Sequence, residues 1–149
     1  MKTKISRELY DFIMEQNRIT PYHRLLDMNI TNLDNGFCEA EIKLEEKHMN
    51  PMNIAHGGVG FSILDVVSGT AATTTGVKTT TIEMNINYFR PTEIGDLLIA
   101  KGWIIKTGKS ILVAEGKLYR DDDIVAVSRQ SMKNLGGLTE KELSQKSLR

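Results

Sequence analysis

The sequence predicts an α+β fold in which one curved antiparallel sheet of about six strands wraps around a long central helix, with a short helix at the N-terminus. Three observations carry the prediction. Alternation of apolar and polar residues recurs along most of the chain, the pattern of strands with one wet face. One stretch, about Gly57 to Thr74, breaks it with small and apolar residues on nearly every side. A meander of long antiparallel strands has one face to cover, and that stretch is the only segment fit to cover it.

Ser6 is placed to cap a helix in which Leu9, Phe12, Ile13 and Gln16 fall at helical spacing. Pro21 is expected to end it, giving an N-terminal helix region over 1–22. Leu25 to Leu33 reads as a strand, and Asp34-Asn35-Gly36 as a hairpin turn. Cys38, Ala40, Ile42 and Leu44 then alternate with Glu39, Glu41 and Lys43, and a polar connection follows from Glu45 to Ala55.

In the central helix Val59, Ile63, Val66 and Val67 make one apolar side, and Phe61, Leu64 and Ala72 spread apolarity around the rest. Such a helix is a buried one. Its glycines and β-branched residues are poor helix formers, so packing must hold it, and Gly76 is expected to stop it. Four strands follow. Ile82, Met84, Ile86 and Tyr88 alternate up to Arg90-Pro91, and Leu97 to Lys106 comes after a turn near Gly95. Ser110 to Tyr119 returns after Thr107-Gly108, and Asp121-Asp122-Asp123 turns into Ile124 to Lys133. Leu135-Gly136-Gly137 is expected to break the last strand, leaving 135–149 as a polar tail with at most a short helix. One domain over 1–149 is expected.

The 149 residues suffice for a real core, and a formal net charge of zero argues against nucleic acid or an anionic membrane as partner. Cys38 stands alone, which fits a reducing compartment. The basic start Met1-Lys2-Thr3-Lys4-Ile5 is not followed by the apolar run of a signal peptide. The longest uncharged segments hold too much Gly, Ser and Thr for a membrane span. These features point to a cytoplasmic protein. His23 and His48 lack a carboxylate or thiol at ligand spacing, so neither metal nor cofactor is expected.

Asp65 is the only charged residue between His56 and Lys78. A carboxylate among apolar residues needs a partner or a task, because unpaired burial is costly. Upstream, Gly57 and Gly58 leave backbone N–H groups open at a helix start. An acid plus open donors is the equipment for attacking a carbonyl. The structural alternatives are an aspartate paired with an arginine or a helix end, a capping or core role for His56, and close packing for the glycines. On one helix, the nine residues from His56 to Asp65 span roughly 13 Å and end on opposite sides. One carbonyl cannot then meet both the Gly57 N–H and Asp65 of the same chain. Either the two do unrelated jobs, or a two-fold axis brings Asp65 of one protomer to the helix start of another; a homodimer is expected, with a tetramer left open.

Asn50-Pro51-Met52-Asn53-Ile54-Ala55-His56-Gly57-Gly58, with Asp65 beyond and Thr81 to Pro91 and Thr107-Gly108-Lys109-Ser110 later, resembles the hotdog-fold thioesterases, and more narrowly their phenylacetic-acid-degradation branch. The resemblance implies hydrolysis of acyl-coenzyme A, with coenzyme A entering as part of the substrate. Carried over by position, Asp65 would activate water or attack the thioester. The Gly57 N–H would receive the oxyanion at the positive end of its helix. Asn50 and His56 would lie at the same pocket, with Gly58 beside them, and Thr81 would bond the attacking water. Asn53 departs from the glycine common in relatives, although asparagine tolerates left-handed angles. Arg90, Lys109 and Lys133 would meet the nucleotide end of coenzyme A. Phe61, Met84, Tyr88 and Trp103 are candidates to line an aromatic acyl pocket or to fill the core. A hotdog dehydratase would pair its histidine and acid at another spacing. A non-catalytic acyl-coenzyme A sensor usually carries an added DNA-binding segment, and the stretch before Leu25 is too short and too balanced in charge to supply one.

Overall fold

A computed structural model describes residues 4–145. The basic start Met1-Lys2-Thr3 and the last part of the polar tail, 146–149, lie outside the described residues. Helix α1 (Arg7–Ile19) begins at Ser6, whose side chain accepts from the Leu9 N–H, and buries Leu9 and Ile13. Pro21 ends α1 as expected, with Ile19 its last residue, but does not end the helical region. It opens a second helix, α2 (Pro21–Leu26), at the position where a missing N–H costs nothing. Asp27 then takes a left-handed φ of 55°, so the first strand, β1 (Asn29–Asp34), starts at Asn29 rather than Leu25.

Strand β2 (Phe37–Lys43) follows a tight turn with Gly36 at φ 71°, and the anticipated face of Cys38, Ala40, Ile42 and Leu44 is buried. Burial pushes the Cys38 thiol up to about 12, so it behaves as a small apolar group rather than a nucleophile. Helix α3 (Gly57–Thr73) agrees with the reading from sequence to within one residue. Four strands complete the sheet: β3 (Val77–Tyr88), β4 (Leu97–Thr107), β5 (Ile111–Arg120) and β6 (Asp123–Gly137). Their order is β1-β2-β4-β5-β6-β3, antiparallel throughout, which leaves β1 and β3 as edges. The last strand is not broken at Leu135. Gly136 takes φ 98° and Gly137 still pairs with Val77, so the glycines bend β6 instead of ending it. A short α4 (Glu140–Ser144) comes next.

Ile63, Leu64, Val67 and Ala71 of α3 are fully buried against Ala40, Ile42, Leu98, Ala100 and Leu118. Each such Ile, Leu or Val contributes about 1.5–3 kcal/mol, which offsets the weak helix propensity of α3. The helix lies directly on the sheet at Gly102 and Gly116, cross-strand partners in β4 and β5. A Cβ on Gly102 would stand 2.7 Å from the Val67 carbonyl carbon, which leaves no room for any other residue there. Among the described residues no helix is long and apolar enough to cross a membrane.

One irregularity positions the chemistry. In the β3–β6 ladder Thr81 faces Met132 and Glu83 faces Ser131, so Ile82 is an extra, bulged residue. Strict alternation from Tyr88 back through Met84 would turn Thr81 away from the helix. The bulge puts Thr81 on the face that carries Gln130 and Met132.

Candidate active site

The N-terminus of α3 is held by local bonds. His56 is its cap: the ring Nδ1 accepts from the Gly58 N–H at 2.9 Å, and its own backbone N–H donates to the His48 carbonyl. The imidazole therefore takes the capping role, and Gly58 has no donor left for a ligand. The Gly57 N–H, on the first helical residue, has no acceptor among the described residues.

The preceding loop is built by Asn50. Its Oδ1 accepts from Met52 N–H at 2.9 Å and Ile54 N–H at 3.3 Å, while Asn53 supplies a left-handed turn at φ 58°. Asparagine thus does what glycine would do at that position. His48 is a satisfied core histidine, its Nδ1 accepting from Glu45 N–H at 2.9 Å and its Nε2 donating to the Leu26 carbonyl at 3.0 Å.

A cavity of about 470 Å³ opens at this helix end, lined by Asn50, His56, Gly57, Tyr88 and Arg90 above an apolar floor that includes Leu98 and Leu118. Its volume falls in the usual range of small-molecule pockets. The Tyr88 hydroxyl donates to the Gly57 carbonyl, and burial raises its pKa. Of the four residues considered for an acyl pocket, only Tyr88 lines this cavity; Trp103 lies under the Lys117 ammonium elsewhere. Arg90 is paired with Asp123 at 3.2 Å.

Asp65 does not line that cavity. Its Oδ1 accepts from the Thr81 hydroxyl at 2.9 Å and from Gln130 Nε2 at 2.7 Å, and Gln130 Nε2 also donates to Thr81 Oγ1 at 2.7 Å. Among the described residues Asp65 has no ion pair and its Oδ2 has no hydrogen-bond partner. Among the described residues neither an arginine nor a helix end takes it up. Gln130 escaped the reading from sequence, because a lone glutamine in a strand looks like any solvated residue; it is only 1% exposed. From the side of α2, Tyr22 and Ser62 share a 2.7 Å hydroxyl bond, and His23 lies close enough to feel the Asp65 charge. Burial lowers the His23 pKa, and Asp65 opposes that shift in part.

The expected basic residues are not gathered in one chain. Lys133 is opposite Thr80 and Ile111, at the Asp65 end of β3, and Lys109 lies in the turn just before Ile111. Arg90 lies beyond Tyr88 at the other end, and Tyr88 is itself roughly 23 Å away along the strand.

A family model described as "Thioesterase superfamily" matches residues 52–127, about half of the chain. Human acyl-coenzyme A thioesterase 13 is 26% identical over 112 residues, covering 73% of this chain and 80% of that protein. The structure of the Escherichia coli PaaI protein, from the phenylacetic acid degradation operon, matches with TM-score 0.84 at 22% identity, covering 89% of this chain and 97% of that one. A "hypothetical thioesterase protein" from Streptococcus pneumoniae, solved with coenzyme A, matches with TM-score 0.73 at 23% identity, covering 75% of this chain and 91% of that one. Alanine variants of that protein at an aspartate and at a threonine sixteen residues further on have also been solved.

Proposed function

The chain belongs to the thioesterase superfamily, and from that premise we propose that it hydrolyses acyl-coenzyme A thioesters to a free acid and coenzyme A. One observation carries the reading: Asp65 has one carboxylate oxygen anchored by Thr81 and Gln130, while on the same helix the Gly57 N–H stands open. In the proposed reaction a water attacks the thioester carbonyl carbon, losing its proton to Asp65 as the C–O bond forms. The carbonyl π electrons move to an oxyanion held by Gly57 at the positive end of α3. Collapse of the intermediate breaks the C–S bond, and the proton passes from Asp65 to the thiolate. Direct attack by Asp65 followed by hydrolysis gives the same products. The spacing of sixteen residues between Asp65 and Thr81 equals that of the two positions altered in the Streptococcus pneumoniae variants.

The site is proposed to be composite. Asp65 faces β3 and β6 while the cavity lies at the start of α3, and β3 is a free edge with Ile82 exposed. Two β3 edges paired antiparallel around a two-fold axis would carry the Thr81 end of one protomer to the Tyr88 end of its partner. Asp65 would then reach Gly57 of the other chain, with Lys109 and Lys133 brought toward its Arg90.

A thiol-release assay across acetyl-, medium-chain, long-chain and aryl-coenzyme A thioesters tests the reaction. Hydrolysis of at least one substrate with kcat/KM of about 10⁴ M⁻¹s⁻¹ or more is expected. Tight binding without thiol release from any of them would replace the enzyme by an acyl-coenzyme A sensor.

A further inference from the structure

Gln130 holds an amide in an orientation that leaves its own carbonyl stranded. Both Nε2 hydrogens are used, one on Asp65 Oδ1 and one on Thr81 Oγ1, each at 2.7 Å. Its Oε1 is buried and has no hydrogen-bond partner among the described residues. An orphaned buried carbonyl is unfavourable, and buried polar groups are rarely left so. The flipped amide would give Oε1 the Thr81 hydroxyl as donor, but it would aim that oxygen at the Asp65 carboxylate and take the hydroxyl away from it. The orientation present is therefore the one that keeps both donors on Asp65 Oδ1.

We propose that Gln130 is a positioning residue that clamps Asp65 through Oδ1, together with Thr81, so that Oδ2 alone is presented for reaction. This rests on the reading of Asp65 given above. Two donors on a single oxygen fix the rotation of the carboxylate about its last torsion, which one donor would leave loose. The two arrive from different strands. Thr81 is turned inward by the β3 bulge, and Gln130 comes from the next strand, where it is opposite Met84. The remaining oxygen keeps its lone pairs for a water or a carbonyl carbon. No proton or electron pair passes through Gln130; it acts only on the aim of Asp65. The groups bonded to the carboxylate are then Thr81 from β3 and Gln130 from β6, while the titratable His23 from α2 lies close enough to feel its charge.

Three variants test the clamp: Gln130→Met, which keeps the volume and removes the donors; Gln130→Glu, which keeps shape and polarity; and Asp65→Asn. Gln130→Met is expected to lower kcat roughly 10- to 100-fold through a loosened carboxylate, with KM within about twofold of wild type. In Gln130→Glu the introduced carboxyl can donate only while protonated. Its activity is expected to fall as pH rises from about 5 to 8, relative to the wild-type profile that already contains His23. A purely structural glutamine would give neither the kcat-only loss nor the inverted profile. If Asp65→Asn is inactive while both Gln130 variants keep wild-type kcat and pH profile, the clamp is overturned and the Asp65 reading stands. If Asp65→Asn is fully active, the Asp65 reading falls and the clamp with it. Should Gln130→Met fail to fold, the Gln130→Glu profile decides alone.

Discussion

Asp65→Asn is expected to lose about 10²- to 10⁴-fold in kcat for thioester hydrolysis while melting close to wild type. The substitution is isosteric, and the side-chain oxygen of asparagine still accepts from Thr81 and Gln130, so the local packing and both anchoring bonds survive. What changes is the free position. In wild type it is an oxygen able to take a proton or attack carbon; in the variant it is an NH₂ group that can do neither. The loss should fall on kcat, with KM changing little, because the proposed role is played in the transition state. Thiol-release kinetics beside a thermal melt read both quantities. A variant within threefold of wild-type kcat would remove Asp65 from the mechanism.

The second large effect is expected from Gly57→Pro set against Gly57→Ala. Proline removes the N–H proposed to hold the oxyanion, and loss of one such donor typically costs about 10²–10³ in kcat. The helix should tolerate it. Position 57 is the first of α3, where proline is favoured, and His56 already has φ −59° and ψ 135°, the backbone that a following proline requires. Alanine keeps the N–H while adding a Cβ that would meet the Tyr88 hydroxyl at 3.3 Å, a tight contact also imposed by proline. Near-wild-type hydrolysis in Gly57→Ala with collapse in Gly57→Pro would isolate the donor. Equal loss in both would point to crowding at Tyr88 instead.

The elements that proved legible in the sequence are those whose local signal agrees with their packing. The central helix announced itself through apolar residues on every side, and β2 through strict alternation with one buried face. Asn53 was legible too, because few other side chains accept its backbone angle. Where the reading failed, two local meanings competed. Pro21 can stop one helix or open the next, and here it does both, opening α2 where only a stop was read; Gly136 can end a strand or bend it, and here it bends β6. The site shows the deeper limit. Alternation through Ile82, Met84, Ile86 and Tyr88 implies that Thr81 points away from the helix, and a single bulge at Ile82 reverses this. Nothing local marks Gln130, which becomes a partner of Asp65 only because β6 lies beside β3 in the sheet.

The shared site can be tested by complementation. Asp65→Asn and Gly57→Pro chains, each inactive alone, would be co-expressed under two tags and the mixed dimer isolated. One of its two sites would combine Asp65 from one chain with the Gly57 N–H of the other, so about half the wild-type activity per dimer is expected, or about a quarter in an unfractionated random mixture. A purified mixed dimer no more active than its two parents would mean that acid and donor do not meet across chains.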